Sequence, residues 1–201
     1  MKEDNQNIIK DPAAEYNKEY TYADYIKFEF DEMVELIKGK IFKMSPAPKS
    51  YHQEILMNLS RLVANFLVGK SCKVYPAPFD VILPFNLKDK NKARSVVQPD
   101  ISVVCNLSKI EDTGCVGAPD WVIEILSDST SKTDLNDKYD LYEEAGVKEY
   151  WIVYPKDYIV QIFVLVNGVY ERRPAMTRND KVSSYTMPDL EIDLSDVFPL
   201  Q

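Results

Sequence analysis

Two acidic residues stand inside apolar stretches of this sequence, and a lysine follows them on a predicted helix. Asp100 comes after Pro99 in a stretch rich in valine and isoleucine, and Glu124 interrupts the apolar stretch 121–126. Apolar stretches bounded by polar loops are typical of mostly buried strands. Burying a carboxylate costs free energy unless it is paired, hydrogen-bonded or bound to a metal. We therefore expect a partner for both acids, and a divalent cation is one such partner.

The chemistry that suits these residues is phosphodiester hydrolysis. Mg²⁺ prefers oxygen ligands, retains several waters and lowers the pKa of an attacking water. Asp100 and Glu124 would bind the ion, with the main-chain carbonyl of Ile125 as a third oxygen. Lys138 would orient the water or stabilise charge in the transition state. Asp134, four residues before that lysine on the same helix face, would hold it in place.

Each of these residues also has a purely structural explanation. Asp100 could cap a loop at the end of a strand, and Glu124 could form a buried ion pair with Lys138. Lys138 and Asp134 could form an ordinary ion pair on the helix surface. The residue types alone leave both interpretations open.

The only histidine, His52, predicts neither a zinc site nor a Ser-His-Asp triad. We place it at the start of a helix, from which His52, Gln53 or Glu54 could reach the site. Tyr142, Tyr150 and the adjacent tryptophan could stack on bases, but their apolar spacing favours packing in the core.

The elements that position these residues follow from periodicity and turn residues. The pattern predicts a short helix in 21–30, a hairpin in 34–44 turning at Lys38-Gly39, and an amphipathic helix in 52–67 that Ser50 caps. Strands are predicted in 73–75, 79–83, 96–105, 121–126, 150–154 and 158–166, and a helix in 132–145 that Gly146 ends. This order predicts an α/β (α+β) fold with a central, mixed and partly antiparallel sheet.

Length and composition limit the class of protein. With 201 residues the chain fits one domain, which we place at 21–198 after a flexible N-terminal segment, 1–20. No apolar run is long enough to span a membrane, and the polar start lacks an export signal, so we expect a cytoplasmic protein. Three unpaired-looking cysteines predict reduced core thiols, and a net charge of −8 excludes a protein that coats nucleic acid non-specifically.

One loop, 86–94, is basic and directly precedes the strand of Asp100. It holds Lys88, Lys90, Lys92 and Arg94. A solvated hairpin loop is the favoured interpretation, and a loop that contacts phosphates is the alternative.

Several motifs occur together in an order that resembles a known family. They are P-D at 99–100, E-I-L at 124–126, S-x-S-T at 127–130, D-x-x-x-K at 134–138 and A-G-V-x-E-Y-W at 145–151. Over 21–198 the chain resembles the putative restriction endonuclease family of the PD-(D/E)XK nuclease superfamily. The resemblance implies a restriction-endonuclease-like mixed sheet flanked by helices, Mg²⁺ (or Mn²⁺ as a substitute) on Asp100 and Glu124, and cleavage of DNA. Cutting both strands of a duplex would suit a homodimer.

The chain departs from the pattern of that family at two positions. Leu126 stands where the superfamily has its lysine, so the resemblance implies that Lys138 replaces it from the next helix. Lys40 stands in the hairpin where the family often has an acid, which would weaken the metal site. The alternative function is therefore a catalytically inactive module of the same fold that binds nucleic acid or another protein.

Overall fold

The structure is a computed structural model, and it describes residues 18–28, 33–44, 49–127 and 132–198, with the backbone alone for 132–134. Most of the predicted N-terminal segment and the polar turn after Ser127 lie outside the described residues. The same holds for the side chain of Asp134, so its predicted contact with Lys138 stays a prediction.

Three α-helices are present in the described residues: α1 (Tyr22–Tyr25), α2 (Ser50–Leu67) and α3 (Lys132–Ala145). The strands, in chain order, are β1 (Val34–Ile37), β2 (Lys40–Lys43), β3 (Lys73–Pro76), β4 (Val81–Ile82), β5 (Val96–Val97), β6 (Ile101–Val104), β7 (Ile110–Glu111), β8 (Gly114–Val116), β9 (Trp121–Ile125), β10 (Glu149–Tyr154), β11 (Ile159–Val166), β12 (Val169–Arg172), β13 (Met176–Thr177), β14 (Lys181–Ser183) and β15 (Glu191–Asp193).

The central sheet has the strand order β12-β11-β10-β9-β6-β3, with β13 paired to β11. Strands β9 and β10 are parallel, and the other neighbours in this sheet are antiparallel. A smaller sheet has the order β2-β1-β5-β4-β8-β7. The predicted mixed and partly antiparallel sheet is confirmed, and the parallel pair is joined by α3 as a parallel connection requires.

The two faces of the central sheet pack against different helices. Ile123 and Ile125 of β9 face a cluster with α2 and the C-terminal segment, whereas Val122 faces a cluster with α3. Because side chains alternate along a strand, Glu124 lies on the same face as Val122. The alternation of β9 therefore turns Glu124 toward α3.

The stretch 96–105, predicted as one strand, is two strands in different sheets. Val96–Val97 forms β5 of the smaller sheet, and Ile101–Val104 forms β6 of the central sheet. Pro99 lies between them, and it has no N–H to donate to a strand neighbour. The chain bends here, and Asp100 lies where the two sheets meet.

Most of the other predicted elements are present. The turn of the β1–β2 hairpin is Lys38-Gly39, with positive φ at both residues, 49° and 81°, as a two-residue hairpin turn requires. Helix α3 ends at Ala145 before Gly146, as predicted. Helix α2 starts earlier than predicted, at Ser50 with Lys49 as N-cap, and α1 is a single turn.

The predicted reduced state of all three cysteines is wrong. Cys72 and Cys105 form a disulfide, and Cys115 is free and buried. The antiparallel pair Lys73–Val104 at the end of β3 and β6 places the two cysteines opposite each other one residue further on. Since they are 33 residues apart in sequence, strand pairing alone brings them together. Disulfides are rare in cytosolic proteins. This pair would therefore be unusual in the cytoplasmic location that the sequence predicts.

The first residue of β10, Glu149, is a buried carboxylate that anchors this strand. Glu149 accepts hydrogen bonds from Trp151 Nε1 (2.7 Å), Ser184 Oγ (2.7 Å) and the backbone N–H groups of Tyr185 (3.0 Å) and Thr186 (2.7 Å). These donors compensate the cost of burying the charge. Glu149 thereby fastens the C-terminal segment to the central sheet.

Within the described residues, no helix is both long enough and apolar enough to cross a membrane.

Thiol labelling tests the disulfide. Iodoacetamide applied to unfolded, unreduced protein is expected to modify one cysteine, and after reduction all three. In the native protein at pH 8 Cys115 is expected to stay unmodified, because burial raises its pKa to about 11 and the thiolate is the reactive form. Intact mass spectrometry counts the adducts; three adducts without reduction would contradict the disulfide.

Glu149→Ala is expected to lower the free energy of unfolding by at least about 3 kcal/mol, because several donors lose a charged acceptor. Glu191→Ala, which removes an exposed carboxylate paired with Lys181, is the control and should change little. Urea unfolding followed by circular dichroism measures both. Equal effects of the two substitutions would show that Glu149 is not an anchor.

Candidate active site

The predicted acids lie on neighbouring strands of the central sheet. Ile101 of β6 pairs with Ile123 of β9 in antiparallel register, and one step further along this register Asp100 faces Glu124. The Asp100 carboxylate also accepts a hydrogen bond from the Ile125 N–H at 2.7 Å. The structure therefore brings Asp100 and Glu124 together, as the sequence predicts. The observed contact of Ile125 is through its N–H, and the role expected for its carbonyl stays a prediction.

Helix α3 supplies the predicted lysine. Lys138 Nζ lies 3.0 Å from Glu124 Oε1, so the lysine is on the required face of the sheet. Tyr142, one turn later on the same helix face, donates its hydroxyl to the same oxygen at 2.7 Å. Tyr142 packs in the core as predicted, but its contact with Glu124 was not expected from its apolar spacing.

A third carboxylate, that of Glu35 on β1, completes the cluster. Its Oε1 lies 2.9 Å from Lys138 Nζ and accepts the backbone N–H of Gln98 at 2.8 Å. Sequence analysis missed this residue, although an acid within the apolar stretch 34–37 is the same signal that indicated Glu124. Lys40, by contrast, is exposed, and the acid that the hairpin contributes to this cluster is Glu35.

The superfamily position of the lysine is filled by an apolar side chain. Leu126 packs at the edge of the cluster facing α3, and its N–H donates to the Val153 carbonyl at 2.9 Å. Lys138 reaches Glu124 from the helix instead. Lys138 thus lies beside Glu124, as the resemblance implies, and its role stays a prediction.

His52 approaches the site from the opposite face of the sheet. It lies at the start of α2, as predicted, and its Nε2 is 3.4 Å from Asp100 Oδ1. Burial lowers the pKa of His52, but hydrogen bonds to Asp100 and to the Ile125 backbone outweigh burial, so the pKa is raised. Gln53 and Glu54 are exposed on α2.

The charges of the buried groups influence one another strongly. Burial raises the pKa of Glu124; Lys138 lowers it, and the negative charges of Asp100 and Glu35 raise it further. Burial lowers the pKa of Lys138, but the two carboxylates that flank its ammonium group raise it by more. Lys138 is therefore held as a cation between two acids.

The donor set of this cluster fits a hard divalent cation. Within the described residues, no three His, Cys, Asp or Glu side chains converge closely enough to hold a metal by themselves. Two carboxylates and one carbonyl, those of Asp100, Glu124 and Ile125, leave room for the waters that Mg²⁺ usually retains. Mutual repulsion of the buried carboxylates is the physical reason why a second cation would be favourable here.

Gln98 and Tyr25 form a second set of hydrogen bonds around the strand that carries Glu35. Gln98 donates its side-chain amide to Asp80 Oδ1 at 2.8 Å, while its backbone binds Glu35. The Tyr25 hydroxyl donates to the Val34 carbonyl at 3.2 Å. These contacts tie α1 and β4 to the strand that carries Glu35.

The basic loop is a connection between two antiparallel strands, β4 and β5, as the favoured interpretation predicted. Lys90 forms an ion pair with Glu111, and Arg94 forms one with Glu19. The side chains of Lys90 and Arg94 are therefore already paired within the protein.

Comparison with known proteins identifies a family and a fold. The sequence model of the Uma2 family, described as putative restriction endonuclease, matches residues 19–195. The chain belongs to this nuclease family. The crystal structure of a putative nuclease belonging to DUF820 from Anabaena variabilis covers 89% of this chain and 97% of its own length, with a TM-score of 0.70 and 21% identity. At that identity the likeness shows the fold alone, and it confirms the restriction-endonuclease-like fold of this Uma2 protein.

A sequence relative adds no activity to this comparison. The uncharacterized protein slr1290 of Synechocystis sp. is 28% identical over 137 residues, which are 67% of each chain. The assignment to the Uma2 family therefore depends on the family match, and the roles of individual residues depend on the geometry of the site.

Lys138→Met is expected to destabilise the metal-free protein by about 3–5 kcal/mol, because it leaves two buried carboxylates without their shared cation. Lys181→Met removes an exposed lysine paired with Glu191 and serves as the control, with little change expected. Urea unfolding in EDTA at neutral pH compares the two variants. A Lys138 variant as stable as the control would show that the ammonium group is not needed to bury Glu35 and Glu124.

Proposed function

We propose that this protein is a Mg²⁺-dependent DNA endonuclease that hydrolyses phosphodiester bonds with an activated water. The observation that supports this most directly is the position of Asp100 opposite Glu124, with Lys138 Nζ 3.0 Å from Glu124. Membership of a nuclease family supports hydrolysis of nucleic acid in general. DNA, as the substrate of restriction endonucleases, is the specific part of the proposal.

Asp100, Glu124 and the carbonyl of Ile125 would hold the ion. Bound Mg²⁺, which Mn²⁺ could replace, would neutralise phosphate charge and lower the pKa of a coordinated water. The Ile125 N–H and His52 keep the Asp100 carboxylate in place.

Lys138 has a separate role. Its ammonium group would orient the attacking water or stabilise negative charge on the phosphoryl oxygens during in-line attack. Glu35 holds the other side of this ammonium group and so fixes where it points. By analogy with the superfamily, the products would have 5′-phosphate and 3′-hydroxyl ends.

The alternative is an inactive module of the same fold. Leu126 and Lys40 are the sequence features that suggest it. The position of Lys138 beside Glu124 and of Glu35 beside Lys138 supports the nuclease over this alternative. A homodimer that cuts both strands and a cytoplasmic location belong to the same proposal as predictions.

Plasmid cleavage tests the function. Wild-type protein with Mg²⁺ or Mn²⁺ is expected to nick or linearise supercoiled plasmid, and Asp100→Ala and Glu124→Ala are each expected to reduce the rate at least about a hundredfold, since metal-assisted charge stabilisation contributes several kcal/mol. Glu54→Ala, at an exposed position on α2, is the control and should cut like wild type.

The outcomes separate the two functions. No cleavage by folded wild-type protein with either metal, or undiminished cleavage by both alanine variants, would overturn the nuclease proposal. DNA binding without cleavage, measured by fluorescence anisotropy, would then favour the inactive module.

A further inference from the structure

Tyr142 is the buried group in the site that neither the motifs nor the proposed chemistry uses. Its side chain is fully buried, and its hydroxyl donates to Glu124 Oε1 at 2.7 Å. Burying a hydroxyl costs free energy unless it is hydrogen-bonded. For Tyr142 the Glu124 carboxylate supplies that partner.

Lys138 and Tyr142 act on the same oxygen of Glu124. They lie four residues apart on α3, on one helix face, and both reach Oε1, at 3.0 and 2.7 Å. Two donors from one helix constrain the position of Oε1 more than one donor would. Neither of these two contacts uses Oε2, so we expect Oε2 to be the oxygen that binds a cation.

We propose that Tyr142 is a positioning residue that orients the Glu124 carboxylate for binding a divalent cation. The inference rests on the proposed metal-dependent function and adds to it a residue outside the ligand set. Hydrogen bonds to metal-ligating carboxylates are known to affect metal affinity or activity about 10–100-fold. A neutral phenol suits this role because it donates a hydrogen bond without adding charge.

The fold contains a matched control in Tyr150. Its side chain is as deeply buried as that of Tyr142, it belongs to the same cluster, and the two ring centroids are 5.1 Å apart. Its hydroxyl, however, has no hydrogen-bond partner among the described residues. Tyr142→Phe and Tyr150→Phe thus remove the same atom from the same cluster, but only the first removes a hydrogen bond to Glu124.

The experiment measures Mn²⁺ binding to the full chain without DNA, from the electron paramagnetic resonance signal of free Mn²⁺. Tyr142→Phe is expected to weaken Mn²⁺ binding about tenfold, and Tyr150→Phe is expected to bind like wild type. In plasmid cleavage, Tyr142→Phe should lower kcat and raise the Mg²⁺ concentration needed for half-maximal rate. The KM for DNA should stay unchanged, which a general loss of structure would not produce.

A third variant guards against misfolding. Replacing Tyr142 with 4-aminophenylalanine keeps the ring and an N–H donor, so Mn²⁺ affinity is expected to return close to that of wild type. Wild-type Mn²⁺ affinity in Tyr142→Phe, equal losses in the two phenylalanine variants, or no recovery with the folded 4-aminophenylalanine protein would each overturn the inference.

Failure of the proposed function gives a different result. If wild-type protein neither binds Mn²⁺ nor cuts plasmid, both proposals fall. If wild-type protein binds and cuts while Tyr142→Phe does the same, only the role of Tyr142 is overturned.

Discussion

The shared ammonium group of Lys138 is the interaction on which the centre of this protein depends. Glu35 and Glu124 come from different sheets, both are buried, and each would be costly to ionise alone. The cation between them compensates both charges and joins β1, β9 and α3 at one point. The structural interpretation of Glu124, a buried ion pair with Lys138, is therefore confirmed. Metal binding by the same carboxylate stays a proposal, and the ion pair is compatible with it.

The bend at Pro99-Asp100 is what lets one site draw on two sheets. The chain passes from β5 to β6 within a few residues, so Asp100 lies beside β9 while Gln98 still binds Glu35 of β1. A continuous strand, as the apolar pattern suggested, would have kept these groups in one sheet. Proline prevents this because it cannot donate a hydrogen bond to a neighbouring strand. Pro99-Asp100, the first of the motifs shared with the family, thus also separates strand β5 of the smaller sheet from strand β6 of the central sheet.

Particular residues show where prediction from the sequence succeeded and where it stopped. Helix α3 was predicted to its last residue because Gly146 gives an unambiguous end signal. Asp100, Glu124 and Lys138 were predicted to come together, and they do, while their catalytic and metal-binding roles stay proposals. Glu35 was missed although it has the same local pattern as Glu124, because nothing near it in sequence indicates a partner more than a hundred residues away.

Local patterns determined the periodic elements, the turn residues and the polar side chains that would need partners when buried. Those properties depend on backbone preferences and on side chains within a few positions of one another. Only the tertiary structure decided the partners: Cys72 with Cys105 through the pairing of β3 with β6, and Lys138 of α3 with Glu35 of the smaller sheet. Partners of this kind are set by strand order and register, which arise from the packing of the whole domain. Asp100, Glu124 and Lys138 could thus be identified from the sequence. The residues that contact and position them could be identified only from the fold.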